Sequence, residues 1–141
     1  MKVLVLCTGN RCRSQMAEGW LKKLAPDWKV FSAGISPTGA VHPFAIFVMM
    51  ERGMNICKAR PKSVDQFLSD EWDYVITVCG NAEKTCPVFN GRVGQRLHIG
   101  FDDPDAFTGS PFEILDEFRR VRDEIGQKMS VFVKEVSERQ V

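Results

Sequence analysis

Lys2-Val-Leu-Val-Leu6 runs straight into Cys7-Thr8-Gly9-Asn10-Arg11-Cys12-Arg13-Ser14. The first stretch is short and nearly continuously apolar, the pattern of a strand buried on both faces of a parallel sheet. It breaks at Thr8-Gly9-Asn10, and a helical pattern opens near Ser14. Met16, Trp20, Leu21 and Leu24 then recur at helical spacing until Pro26. Strand, short polar loop and helix in succession begin an α/β unit, and the rest of the chain repeats the alternation.

Trp28-Lys-Val-Phe31 reads as a second strand, ended by Ser32-Ala33-Gly34. Pro43 suits the first turn of a helix running to Arg52, with Gly53 as its stop. Asp73-Tyr-Val-Ile-Thr-Val78 is a third strand, and Gln95 to Ile99 shows a weaker fourth pattern. Ser110-Pro111-Phe112-Glu113 combines an N-cap serine, a first-turn proline and a capping-box glutamate. The helix it opens carries one apolar stripe, Phe118, Val121, Ile125, Met129, Phe132 and Val136. Asp116/Arg120, Arg119/Asp123 and Glu124/Lys128 can pair on its exposed side. Alternating elements joined by helices imply a parallel α/β sheet in one domain spanning residues 1–141.

Composition excludes several function classes. The 141 residues are 44% hydrophobic and 26% charged, an ordinary globular balance. Nineteen basic and eighteen acidic side chains leave a formal charge of +1, with no block of either sign to attract nucleic acid or an anionic membrane. The longest apolar run, Phe44 to Met50, is too short to span a bilayer. Val3 to Cys7, followed by Thr-Gly-Asn-Arg, is not a signal peptide, so a cytoplasmic chain is expected. Five cysteines are the unusual feature, and the odd number argues against a fully paired secreted framework. In a reducing compartment such cysteines are catalytic, redox-active, metal-bound or simply buried.

Open α/β sheets bind ligands at the carboxyl ends of their strands. Cys7 follows the first strand, Cys79 the third, and the Gly100-Phe-Asp-Asp-Pro-Asp105 loop the fourth, so the topology brings all three to one edge. Curled between strand and helix, residues 7–14 aim successive backbone N–H groups at one point, and the helix N-terminus adds its positive dipole end. Such donors favour the thiolate of Cys7, a competent nucleophile. Arg13 can clamp two oxygens of a tetrahedral oxyanion. Ser14 can hydrogen-bond the thiolate, Gly9 permits close backbone approach, and Asn10 tolerates a left-handed conformation. The same residues also suit a buried cysteine that merely ends a strand, with an arginine nearby.

The octapeptide Cys7–Ser14 resembles the phosphate-binding loop of the low-molecular-weight protein tyrosine phosphatases. Gln15-Met-Ala-Glu-Gly19 resembles instead the arsenate reductases built on that fold. So do Phe31-Ser-Ala-Gly34, Val78-Cys-Gly80, Cys86-Pro87, Gly100-Phe-Asp-Asp-Pro104 and Arg119-Arg-Val-Arg-Asp-Glu-Ile-Gly126. The resemblance covers nearly the whole chain. It implies a four-stranded parallel sheet flanked by helices on both faces, with Thr8, Gly9, Asn10, Arg11, Cys12, Arg13 and Ser14 binding the oxyanion. It also implies that Asp103 is the general acid that protonates the departing oxygen; without it, Asp103-Pro104 reads as a turn initiator.

In the related reductases, the cysteine matching Cys79 attacks Cys7, releasing arsenite and leaving a Cys7–Cys79 disulfide. The one matching Cys86 then attacks Cys79, and thioredoxin reduces the Cys79–Cys86 disulfide. A second resolving cysteine favours thioredoxin over a glutaredoxin-type reductant. Residues 80–85 are small or polar, with Gly80 as a hinge. Helical when reduced, they hold Cys79 and Cys86 about two turns apart, too far for a disulfide with its Cα atoms within about 7 Å. Oxidation therefore requires unwinding. The six-residue gap between the two cysteines is not a zinc clip, and only His42 and His98 are available besides.

Cys12 reads as a structural loop residue and Cys57 as a partly buried thiol. His98 is expected to be structural, although it can reach the Asp-Asp-Pro loop. In some thioredoxin-coupled relatives potassium binds residues matching Asn10, Glu18 and Ser32, plus a threonine and an aspartate. Here Arg60 and Lys62 fall at those last two places, or Ser63 and Asp65 in a shifted alignment. A lysine ammonium in the metal's place implies no potassium dependence, and no metal or other cofactor is expected. The implied reaction is reduction of arsenate, with phosphate as a competing oxyanion and a monomer as the expected state. The rivals are a phosphatase for phosphate monoesters, to which Cys79 and Cys86 would be idle, and a non-catalytic redox-sensing module.

Overall fold

The computed structural model describes residues 1–139. Lys2–Cys7 forms strand β1, whose Val3, Leu4, Val5 and Leu6 are wholly buried because the sheet continues on both sides of it. Helix α1 (Arg13–Leu24) leads to β2 (Lys29–Gly34), and α2 (Pro43–Met50) to β3 (Trp72–Thr77). A six-residue helix α3 (Gly80–Thr85), strand β4 (Val93–His98) and the long helix α4 (Pro111–Arg139) complete the chain. All strands are parallel, in the order β2-β1-β3-β4. The chain leaves β1 toward β2 on one side and returns to β3 on the other, so the carboxyl end of β1 lies where the strand order reverses. Leu6 pairs with Thr77 and Thr77 with His98, which sets the loops after β1, β3 and β4 side by side.

Several boundaries differ from the sequence expectation. β2 continues through Ser32-Ala33-Gly34, since those residues pair with Val5, Leu6 and Cys7. A Cβ on Gly34 would come within 2.7 Å of the Thr8 carbonyl oxygen, so the small residue seats the loop rather than ending the strand. β4 starts at Val93 and stops at His98, one residue short of Ile99. As the edge strand it exposes Gly94, Gln95 and Arg96, which hid its start from a pattern based on hydrophobicity. Helix α2 ends at Met50; Gly53, at φ +79°, donates its N–H to the Met50 carbonyl and turns the chain away.

Helix α4 begins as its capping box requires: Ser110 N–H donates to Glu113 Oε1 (3.0 Å) and Glu113 N–H to Ser110 Oγ (3.2 Å). Its six stripe residues are all buried. The surface pairing differs from expectation. Arg119 turns to Asp116 and to Glu51 beyond the end of α2, Arg120 bridges Glu117, Glu124 and Asp102, and Arg122 is itself buried against Glu51 and the Val48 carbonyl. These arginines reach across to neighbouring elements, and spacing along one helix says nothing about that. No helix among the described residues is long and apolar enough to cross a membrane.

Candidate active site

The loop from Cys7 to Arg13 is shaped from outside by the segment after β2. Carbonyls of Cys7, Thr8, Gly9 and Arg11 accept bonds from the N–H groups of Ile35, Ser36, Thr38 and His42, at 2.9–3.4 Å. With its carbonyls tied outward, the loop turns its amides inward. Among the described residues, the N–H groups of Gly9, Arg11 and Cys12 have no main-chain acceptor, and that of Asn10 donates to Cys7 Sγ (3.1 Å). Unspent donors converging beside a helix N-terminus are what a tetrahedral anion requires. The hollow in front of them is about 210 Å³, lined by Cys7, Thr8, Gly9, Arg11, Cys12, Arg13, Thr38, Asp103 and Asp105. Larger hollows elsewhere, such as one of about 560 Å³ beside Glu18 and Lys62, hold no such set.

Asn10 organises the surroundings of Cys7. It sits at φ 56°, the only non-glycine in the left-handed region among the described residues, and is wholly buried. Its side-chain orientation follows from chemistry: the Lys62 N–H, which can only donate, lies 3.0 Å from one terminal atom, so that atom is Oδ1. Nδ2 must therefore face Ser14 Oγ (2.7 Å) and Ser32 Oγ (3.0 Å). Ser14 Oγ, already accepting from Asn10, has its single proton free for Cys7 Sγ at 2.9 Å. Gln15, fully buried, donates to Asn10 Oδ1 and to the Asn10 and Arg60 carbonyls, bracing the arrangement.

The second thiol is held in the same way. Asn81 Nδ2 donates to Thr8 Oγ1 (2.9 Å), leaving the Thr8 hydroxyl proton for Cys79 Sγ at 3.4 Å. Cys79 caps α3, accepting from Ala82 N–H, and is buried. Thr8 adjoins Cys7 in the chain, so Cys79 is docked on the oxyanion loop itself. Cys86 closes the other end of α3, half-buried, with Arg96 Nη1 3.8 Å from its sulfur. Burial pushes the Cys86 thiol up from its ordinary value, and the Arg96 guanidinium opposes that.

Arg13 lies at the pocket wall, donating to the Phe101 carbonyl and 3.5 Å from Asp103 Oδ2. The Arg11 side chain leaves the pocket centre for the Ala40 carbonyl and Asp105, so only its main chain faces an anion. Cys12 is buried, and burial together with the Asp105 and Asp103 carboxylates holds it firmly as a thiol, in keeping with a structural part. Cys57 is exposed, not partly buried. His98 bonds Thr77 Oγ1 (2.9 Å) rather than the Asp-Asp-Pro loop. The contacts of Gln15, Asp105, His42 and Arg96 went unread in the sequence, whereas Asn10 was read there as a left-handed loop residue and, beside Lys62, as the counterpart of a potassium ligand. His42 before Pro43 did carry an N-cap signal, and Gln15 is a polar residue on the buried side of α1.

A potassium ion suits this donor set poorly. Asn10 Oδ1 already accepts from Gln15 and Lys62, and Ser32 Oγ from Asn10. Glu18 Oε2 pairs with Lys22 at 2.7 Å, while Oε1 is buried with no hydrogen-bond partner among the described residues. Lys62 supplies positive charge beside it: burial pulls its ammonium down and the Glu18 carboxylate holds it up.

The sequence model of the low molecular weight phosphotyrosine protein phosphatases matches residues 2–141. A Halalkalibacterium halodurans protein named arsenate reductase is 46% identical over 133 residues, 94% of each chain. Among solved structures, an arsenate reductase in the phosphate-binding state superposes with a TM-score of 0.80 at 32% identity, covering 95% of this chain and 97% of that one. An arsenate reductase in an oxidised state gives 0.77 at 29% identity, covering 96% and 98%. The loop, the sheet that carries it and these likenesses agree along the full length: the chain belongs to the low molecular weight phosphotyrosine protein phosphatase family.

Proposed function

We propose that this protein reduces arsenate to arsenite as a single catalytic unit in the cytoplasm, through Cys7, Cys79 and Cys86. The observation that carries the reading is the docking of Cys79 on the oxyanion loop through Thr8, with Cys86 at the far end of the same short helix. Hydrolysis of a phosphate ester has no use for a second thiol there. The 46% identical relative named arsenate reductase supports the same choice.

In this scheme the loop amides and Arg13 bind arsenate, and the Cys7 thiolate, steadied by Ser14, attacks arsenic. A Cys7–arsenic bond forms, and one oxygen leaves as water with a proton from Asp103. The Cys79 thiolate then attacks Cys7 sulfur. The sulfur–arsenic bond breaks with its electron pair remaining on arsenic, which departs as arsenite in the lower oxidation state. Cys86 attacks Cys79 of the resulting Cys7–Cys79 disulfide and frees Cys7. Thioredoxin, a dithiol reductant, reduces the Cys79–Cys86 disulfide. Unwinding of α3 brings Cys86 to Cys79, since the intact helix separates them. Five free cysteines accord with a reducing compartment.

The test is arsenate-dependent NADPH oxidation with thioredoxin and thioredoxin reductase. Sustained turnover by wild type and none by Cys86→Ser is expected. No turnover by wild type, together with brisk hydrolysis of p-nitrophenyl phosphate, would replace this reading with a phosphatase.

A further inference from the structure

Two ion pairs tie the loop carrying Asp103 to the oxyanion loop, and they differ in what the reaction does to them. Arg13 Nη2 lies 3.5 Å from Asp103 Oδ2. That tie cannot last through a turnover in which Arg13 is drawn to the bound anion and Asp103 carries a proton, because a neutral carboxyl no longer holds a guanidinium. The second tie joins Arg11 Nη1 to Asp105 Oδ2 at 2.8 Å and involves neither group. We propose that the Arg11–Asp105 pair, backed by His42, is a latch that keeps the acid loop seated over the pocket while the Arg13–Asp103 tie is released, and so positions Asp103 for proton transfer. The proposal rests on the role given to Asp103 above.

The latch is braced on three sides. Arg11 Nε donates to the Ala40 carbonyl (2.9 Å), and the Arg11 carbonyl accepts from His42 N–H (3.1 Å). His42 Nδ1 accepts from Phe44 N–H at 3.0 Å, so in the neutral ring the proton is on Nε2. Nε2 faces Asp105 Oδ1 at 3.4 Å, and the ring packs on Phe118 with centroids 4.6 Å apart. Both Asp105 oxygens are therefore held, one by each partner. On the loop side, Asp105 N–H donates to Asp103 Oδ1 (3.0 Å), a one-bond link from latch to acid. The Arg11 and Asp105 side chains have positioning roles in this scheme, since neither side chain touches the reacting atoms.

Asp103→Asn imitates the protonated acid and breaks the first tie without any ligand. Hydrogen exchange at the Ala106 and Phe107 amides, which bond the Asp103 and Pro104 carbonyls, reports whether the loop stays seated. With Asp103→Asn alone, exchange should remain close to wild type. Adding Asp105→Ala should raise it about tenfold, as expected for loss of a charge-assisted hydrogen bond. In the otherwise wild-type protein, Asp105→Ala and Arg11→Ser should lower kcat for arsenate about tenfold with little change in KM, and Arg11→Lys should recover part of it. If arsenate is not a substrate, kcat on p-nitrophenyl phosphate takes its place. Unchanged exchange in the double variant, or raised exchange with kcat unaltered, would overturn the latch. A wild-type protein that keeps the latch yet reduces no arsenate would remove the functional reading alone.

Discussion

Asn10 shows how much of a site can depend on one side chain that touches no substrate. Its amide fixes the direction of the Ser14 hydroxyl, which reaches the Cys7 sulfur that attacks arsenic in the proposed reaction. Asn10→Ala should therefore slow alkylation of Cys7 by iodoacetamide, cut turnover on the order of a hundredfold, and lower stability in urea by about 2–3 kcal/mol. Unaltered alkylation would show that Ser14 needs no director. At Cys86 the sign of the pH dependence follows from its surroundings. Burial raises the thiol above its ordinary 9.0, so little thiolate exists near neutrality and the exchange from Cys7–Cys79 to Cys79–Cys86 should accelerate as pH rises through and beyond that value. Arg96→Ala removes the opposing charge and should slow that exchange several-fold at pH 7. Quenched time courses of disulfide formation measure both effects. The gathering of Cys7, Arg13, Ser14, Cys79 and Asp103 at one sheet edge was legible in the sequence, because the topology brings their loops together. The contacts of Gln15 and Arg96 were not, because their partners, Asn10 and Cys86, are chosen by the fold and not by spacing.

Among the secondary-structure elements, those with a strong periodic signal or a cap were read correctly, and those shaped by neighbours were not. The start of α4 followed from Ser110 and Glu113. The start of β4 was hidden because an edge strand is free to be polar, and β2 ran on because its small residues pair with β1. Gly126 is a case that spacing leaves blank. A mid-helix glycine normally weakens a helix, yet a Cβ there would meet the Trp20 ring at 2.6 Å. The glycine admits Trp20, whose Nε1–H donates to the Arg122 carbonyl, and so sets how closely α1 and α4 approach. Gly126→Ala should destabilise the protein by about 1–3 kcal/mol in urea, against the small gain that helix propensity alone would give. A stabilised variant would mean that the α1–α4 contact yields easily.

At the scale of the whole molecule, one sheet order brings Cys7, Cys79 and the Asp103 loop to one edge. β1 is central, β3 and β4 lie on one side of it, and the loops after all three strands open on the same edge. Lys62 reaches this centre from the segment before β3 and sets its positive charge beside Glu18. Replacing sodium with potassium at equal ionic strength should leave the thermal midpoint unchanged, and a rise of several degrees would contradict that. In the proposed reaction arsenic takes two electrons as Cys7 and Cys79 form a disulfide, and Cys86 then takes over that disulfide and frees Cys7. The most direct measurement is to give the fully reduced protein one equivalent of arsenate without any external reductant, and to map its disulfides by mass spectrometry. A Cys79–Cys86 disulfide is expected in wild type and a Cys7–Cys79 disulfide in Cys86→Ser, each with one arsenite released. Five free thiols in wild type and four in Cys86→Ser after exposure to arsenate would contradict it.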